Sequence, residues 1–285
     1  MRSSVLNIAA SILAFICGIV TALPWNSARR IVRVYQPPTV EECRSVIPYP
    51  EPSAAPTPRP SRVILIGEDR LKVVSDQMRL KSERLRYEID VHYPQIMRTE
   101  DAQLLKLNQH IKQLASSYHQ SLLNPTQADL KRYEKWAGVS NSVKVDYEYS
   151  LTTDSLLSIY FYGYRYDVGA AHAVQQSFTV NYDLAFRKEL KLADVFKRNS
   201  NYLEFISSYC IAVLSQLALP NMSSGALKQK PENFESWKIT RNGIAFTFDS
   251  CRIFACSVGQ QTVEIPFASL RGLLSSNSSV KALSE

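Results

Sequence analysis

The sequence predicts an α+β fold, a mostly antiparallel sheet with two main helices packed on one face. Three observations carry this expectation. Several short stretches alternate with period two, the densest being residues 159–166, which put Tyr160, Tyr162, Tyr164 and Tyr166 on one side of a strand. Only two stretches show sustained helical spacing: Leu104, Leu107, Ile111, Leu114 and Tyr118, and then Leu203, Ile206, Cys210, Val213 and Leu217. Short polar turns such as Thr152-Thr153-Asp154, and the break at Gly169, separate strands closely enough for antiparallel neighbours.

Taken in order, Val5–Leu23 is almost wholly apolar and reads as a signal anchor, or a signal peptide cut after Val20-Thr21-Ala22. Ile16 before Cys17 is not the small residue that a lipoprotein needs. Arg29, Arg30 and Arg33 follow the segment, which by the positive-inside rule favours a cytoplasmic C-terminal side unless the segment is cleaved. Residues 24–62 form a Pro-rich linker. The prolines between Pro37 and Pro60 favour extended polyproline II, a spacer of about 3.1 Å per residue. The excess of basic charge lies in this leading part: residues 1–62 carry seven Lys and Arg against three Asp and Glu, and residues 63–285 carry 26 against 23. The folded part is close to balanced and shows no clustered basic face, so nucleic acid is not an expected partner.

One compact α+β domain is expected over 63–274, built of two packed modules at about 63–140 and 141–274, with 275–285 as a frayed tail. Val63–Ile66 suits a short strand. Arg84–His92 alternates as a half-buried strand ending at Pro94. Thr99-Glu100-Asp101 opens the first helix, and Asn124-Pro125 stops it. His110 and His119 lie on that helix off its apolar stripe, where solvated side chains are expected. Val143–Ser150, Ser155–Tyr166 and the strand from Val174 make a meander. Leu190 and Leu192 form a short last strand, with Asp194 opening a helix. Asn201 and Glu204 resemble a capping box for the second main helix, in which Cys210 reads as a small buried apolar residue. Trp237–Phe248 and Gln261–Pro266 read as strands, and Phe267–Leu274 as a short helix.

Catalytic and metal signatures are missing from the sequence: no Gly-rich phosphate loop, His-Glu-x-x-His, Cys-x-x-Cys or Gly-x-Ser-x-Gly. Four scattered histidines are poor material for a metal site. Asp167 and Asp183 flank the Gly169-Ala170-Ala171-His172 corner, and a carboxylate pair can do acid–base work; turn-forming aspartates explain both with fewer assumptions. His172 can contact a partner or act at the mouth of a cleft, or it can pin the corner through a backbone carbonyl. The tyrosine row can be a recognition platform or the roof over a helix.

Tyr160–Phe196 combines the Gly-Ala-Ala-His corner, the Asn181-Tyr182-Asp183 turn and Leu192-Ala193-Asp194-Val195-Phe196. Downstream come Asn242-Gly243, Phe246-Thr247-Phe248, Gly259 and Val263-Glu264-Ile265-Pro266. In this order they resemble the extracytoplasmic domain family (DUF3298/DUF4163-like) shared by a lysozyme-sensing anti-sigma factor of Gram-positive bacteria and the N-terminal region of some peptidoglycan deacetylases. The resemblance extends over about residues 84–274. It implies an extracytoplasmic, envelope-associated binding or sensing domain without catalysis, for a lysozyme-like protein or a peptidoglycan ligand. The domain would be attached to the membrane through the N-terminal segment, or secreted if that segment is cleaved. On this reading Tyr162, Tyr164, Tyr166, His172 and Asp183 are the candidate ligand-binding residues, with no cofactor, metal or catalytic residue. The rival readings are a cell-wall glycan hydrolase or deacetylase using Asp167, His172 and Asp183, and a structural envelope module. Met1–Ser4 is too short to hold a sigma factor, so an anti-sigma role is not expected.

The family pattern has two tyrosines five apart where this sequence has Cys251 and Cys256. Their joint replacement by the same rare residue, in a domain expected in an oxidising compartment, implies a Cys251–Cys256 disulfide that needs the chain to turn between them. The alternative is two separate buried thiols, with Cys43 and Cys210 also free.

Overall fold

A computed structural model describes residues 63–285 apart from Ala137, Ala218 and Pro220. The expected anchor, the linker and Cys43 lie outside the described residues. The α+β class holds. Seven strands form one sheet in sequence order. They are β1 (Ile64–Ile66), β2 (Leu71–Ser82), β3 (Tyr87–Ile96), β4 (Asn141–Thr152), β5 (Leu156–Tyr166), β6 (Val174–Asp183) and β7 (Lys188–Glu189). Every pair is antiparallel except β3–β4, where Ile89 sits opposite Val143. A parallel neighbour needs a crossover longer than a turn. Three helices supply it: α1 (Ala102–Ser117), α2 (Gln120–Leu123) and α3 (Gln127–Lys135).

Asp101 caps α1, its side chain accepting from the N–H groups of Gln103 and Leu104, and thereby satisfies two amides that the helix leaves open. Leu104, Leu107, Ile111 and Ala115 of α1 then bury against Ile89, Val91, Val143, Val145, Ile159 and Phe161. At its C-terminal end Tyr118 lies flat on β5, where a Cβ on Gly163 would come within 2.6 Å of the tyrosine ring.

The opposite face of the same sheet carries the second module. It comprises α4 (Leu192–Val195), α5 (Tyr202–Ser215), the three-stranded sheet β8 (Trp237–Ile239), β9 (Gly243–Phe248) and β10 (Gln261–Pro266), and α6 (Phe267–Leu270). Its core joins Ile206, Cys210 and Val213 of α5 to Phe246, Phe248, Val263 and Ile265, and to Leu151 and Leu156 of the large sheet. The two main helices thus serve different sheets, α1 the large one and α5 the small one. The large sheet runs across residue 140, and apart from Leu151 and Leu156, which join the second core, the two cores part between Leu184 and Leu190.

A buried polar knot holds the modules together. Ser158 Oγ donates to Asn181 Oδ1 at 2.6 Å, and Asn181 Nδ2 donates to the Trp237 carbonyl at 2.8 Å. The Ile239 N–H donates to Ser158 Oγ at 3.0 Å. These bonds satisfy polar groups that would otherwise be buried unpaired.

Several local expectations are corrected. β3 runs through Pro94, which pairs with Ser75, because the ladder loses only one donor there. His119 is 2% exposed: the chain turns at Tyr118 into α2, so a position off the α1 stripe comes to face inward. Asn201 precedes α5 but makes no capping hydrogen bond through its side chain. The strand before α4 is Lys188–Glu189, and Leu192 already belongs to the helix. The tail is not frayed: Val280 is fully buried in the second core, and Arg271 donates to the Ser284 carbonyl.

Candidate functional site

Alternation along β5 puts Tyr160, Tyr162, Tyr164 and Tyr166 on the face away from α1. The register sets Tyr160 opposite Thr179, Tyr162 opposite Ser177 and Tyr164 opposite Gln175. Tyr160 is buried at the module junction, whereas Tyr162, Tyr164 and Tyr166 are half-buried. The Tyr160 and Tyr162 rings stand 6.0 Å apart. Lys238 Nζ sits 3.9 Å from the Tyr160 ring centroid and pairs with Glu148 at 3.0 Å, a cation–π contact of a kind strengthened by partial desolvation. Burial, followed by the nearby Asp249 and Glu148 carboxylates, pushes the Tyr160 phenol above its usual value, so it stays a donor.

The second motif docks on this face. Tyr160 donates to Gln260 Oε1 at 2.8 Å, and Gln175 Nε2 donates to the same oxygen at 3.3 Å. Asp249 Oδ1 accepts from Ser177 Oγ at 2.7 Å and from Gln260 Nε2 at 3.1 Å. Asp249 and Gln260 bracket the loop closed by the Cys251–Cys256 disulfide, whose Cα atoms are 4.1 Å apart. Inside that loop Ile253 and Phe254 are buried anchors, while both cysteines are exposed. The turn that the bridge requires is therefore present, with Cys251 at φ 70°. Cys210 is the other cysteine of the described residues, a free thiol that burial pushes well up.

The remaining candidates separate. His172 is exposed on the corner, with Nδ1 3.0 Å from the Ala173 carbonyl, the geometry of a ring nitrogen that pins the chain. Asp167 is held by the Arg165 guanidinium, with Nε–Oδ2 at 3.0 Å and Nη2–Oδ1 at 2.9 Å. Asp183 is 1% exposed and accepts from the Phe186 N–H at 3.0 Å, shaping the turn before β7. It stands at the far end of the ten-residue β6, about 30 Å from the corner at about 3.3 Å per residue. Asp183 therefore shares a site neither with His172 and Asp167 nor with the outer tyrosines. Among the described residues no three His, Cys, Asp or Glu side chains come together as metal ligands, and no helix is long and apolar enough to cross a membrane.

Sequence reasoning missed Asp249, Gln260, Ser177 and Lys238. Gln260 directly follows the motif glycine Gly259, and Asp249 directly follows the Phe246–Phe248 strand; adjacency to the motif was the available signal.

Residues 80–175, from late β2 to the start of β6, match the family described as deacetylase PdaC. Residues 193–268, from α4 into α6, match the protein of unknown function family DUF3298. The two matches divide where the two cores divide. The first module is thus similar to the PdaC family and the second to the DUF3298 family. Among curated relatives, this chain is 28% identical over 138 residues to the peptidoglycan-N-acetylmuramic acid deacetylase PdaC of Bacillus subtilis strain 168, covering 47% of this chain and 29% of that protein. It thus spans less than a third of the relative's length. A DUF3298-family crystal structure from Bacteroides fragilis NCTC 9343 shares the fold at TM-score 0.51 and 17% identity, covering 77% of this chain and 98% of that one. Another, from Pseudomonas aeruginosa PAO1, superposes at TM-score 0.48 and 16% identity, covering 71% and 94%.

Proposed function

We propose that this protein is an extracytoplasmic, envelope-associated binding or sensing domain that takes peptidoglycan or a lysozyme-like protein on its tyrosine face, without catalysis of its own. The observation that carries the reading is the docking of the disulfide loop onto β5. Part-buried bonds from Tyr160 and Ser177 fix the loop, while Tyr162, Tyr164 and Tyr166 stay partly open beside it. Tyrosines held on a strand offer large amphipathic contact area at low entropic cost. Two facts support an envelope setting. The curated relative acts on peptidoglycan by its name, and an exposed disulfide suits an oxidising compartment. Attachment through residues 5–23, or release after cleavage, completes the proposal.

The test is retention of the purified domain on insoluble peptidoglycan and on immobilised lysozyme, beside assays for deacetylation and hydrolysis. Binding to one of the two, weakened at least about tenfold by Tyr164→Ala or Tyr166→Ala, which corresponds to 1.4 kcal/mol, is the expected result. Glycan turnover abolished by His172→Ala in folded protein would overturn it in favour of an enzyme.

A further inference from the structure

The chain between β9 and β10 leaves its ladder through a neck of two rungs. Phe248 and Gln261 form the last ladder pair. Beyond it Gln260 Nε2 donates to Asp249 Oδ1 at 3.1 Å, and farther out the Cys251–Cys256 disulfide closes the neck covalently. The inner rung is the one that grips β5 and β6, through Tyr160, Gln175 and Ser177. We propose that the disulfide is a reversible redox lock, opened by a dithiol reductant while the protein stays folded, that sets how firmly Asp249 and Gln260 hold this grip.

Exposure makes the bridge reachable. Both cysteines are exposed, and exposed bridges are the exchangeable kind. A thiolate of the reductant attacks one sulfur, the S–S bond breaks, and the other cysteine leaves as a thiolate that takes up a proton. The reductant's second thiolate then attacks the mixed disulfide and frees the first cysteine, which is protonated in turn. Two electrons and two protons pass to the protein, and the reductant becomes a disulfide. Cys210, fully buried, takes no part.

The bridge is poorly suited to be a mere staple. A staple gains most by closing a long loop, whereas these cysteines are five residues apart. The loop also has anchors of its own. Ile253 and Phe254 are buried in the second core, the Ser223 N–H donates to the Ile253 carbonyl at 2.7 Å, and Arg252 Nη2 donates to the Glu232 carbonyl at 3.0 Å. The tip therefore keeps its place when the bridge opens. The neck does not. The Arg252 N–H donates to the Asp249 carbonyl at 3.1 Å, closing a turn whose third residue is Cys251 at φ 70°. A side chain is disfavoured in that left-handed conformation, which Gly259, at φ 80° on the other side of the neck, adopts freely. The bridge thus holds Cys251 where a free cysteine relaxes toward negative φ, and that relaxation turns the chain two residues after Asp249.

Amide hydrogen exchange of the full chain, oxidised and then treated with dithiothreitol, tests the lock with no ligand present. Residue-resolved alkylation should label Cys251 and Cys256 in the folded, reduced protein while Cys210 stays protected. The amides of Arg252 and Gly259, hydrogen-bonded at the neck, should then exchange at least about tenfold faster. Those of the β9–β10 ladder should be unchanged, reoxidation should restore the original rates, and the Cys251→Ser/Cys256→Ser double variant should reproduce the reduced pattern. A bridge that resists dithiothreitol until the protein unfolds would overturn the lock. So would equal rates in the two states, a double variant with the oxidised rates, or acceleration spread over both modules, the mark of a staple. Any change in ligand uptake on reduction rests on the tyrosine-face reading, and failure of that reading leaves these rates as they are.

Discussion

Tyr160 and Gln260, 100 residues apart in the chain, meet in a 2.8 Å hydrogen bond that joins the two halves of the candidate site. Tyr160→Phe removes the donor while keeping the ring under Lys238. A loss of about 1 kcal/mol in unfolding free energy is expected, read as a lower urea midpoint at unchanged slope. Because the two residues share one bond, a double-mutant cycle with Gln260→Ala should show coupling of at least about 0.5 kcal/mol. Strict additivity would contradict the contact.

Asn181→Ala removes the centre of the polar knot and strands the Trp237 carbonyl bond and the Ser158 hydroxyl bond in a buried place. Destabilisation of about 1–3 kcal/mol is expected. It should appear in the exchange protection of β8 amides before that of β3, since the knot lies between the modules.

Gly243→Ala is the sharpest steric test. A Cβ there would lie 2.1 Å from the Ile265 carbonyl oxygen, backbone that cannot swing aside. Overpacking of this kind costs about 1–3 kcal/mol or more. Thermal melting at a temperature equal to the parent would show that β9 and β10 are not paired as described.

His119 gives the fold a pH dependence with a definite sign. Burial alone lowers its folded value below the ordinary 6.5. The unfolded chain then binds the proton more readily, so stability is full above 6.5 and falls as pH drops from there toward the depressed folded value. His119→Leu should flatten the stability curve over that window. A slope the same in both proteins would mean that His119 is not buried neutral.

Opening the Cys251–Cys256 bridge should cost roughly 2 kcal/mol, the loop-entropy value for so short a ring. Mapping of unreduced protein should recover the two cysteines linked, and Cys210 should resist alkylation until unfolding, since burial disfavours its thiolate.

Much of this architecture was legible in the residues. Alternation marked β5 because its two faces meet different partners, α1 on one side and the second module on the other. Asp101 was readable as part of a cap because capping is decided within a few residues. What could not be read depends on contacts distant in sequence. His119 sits off a helical stripe and is buried only because the chain turns at Tyr118. Val280 lies with Ala282 and Leu283 in an otherwise polar tail, and nothing local says that the second core receives it. Within the candidate site, the tyrosines announced themselves through their spacing, whereas Asp249 and Gln260 are unremarkable until β5 is brought against them. Asp183 misled for the converse reason: it neighbours the corner in the motif order, yet a whole strand separates them in space.

Arg187, in the turn after β6, pairs with Asp69 in the turn after β1 and with Asp101, the cap of α1, at 3.4 Å in the latter case. The Arg187–Asp69 contact spans 118 residues. A chain emerging from its N-terminal end can form the β2–β3 hairpin and α1 early, but Asp69 and Asp101 gain this cationic partner only once Arg187 has been made. These pairs therefore close only with the arrival of the first module's last turn, a contact of the long-range kind that is made late in folding.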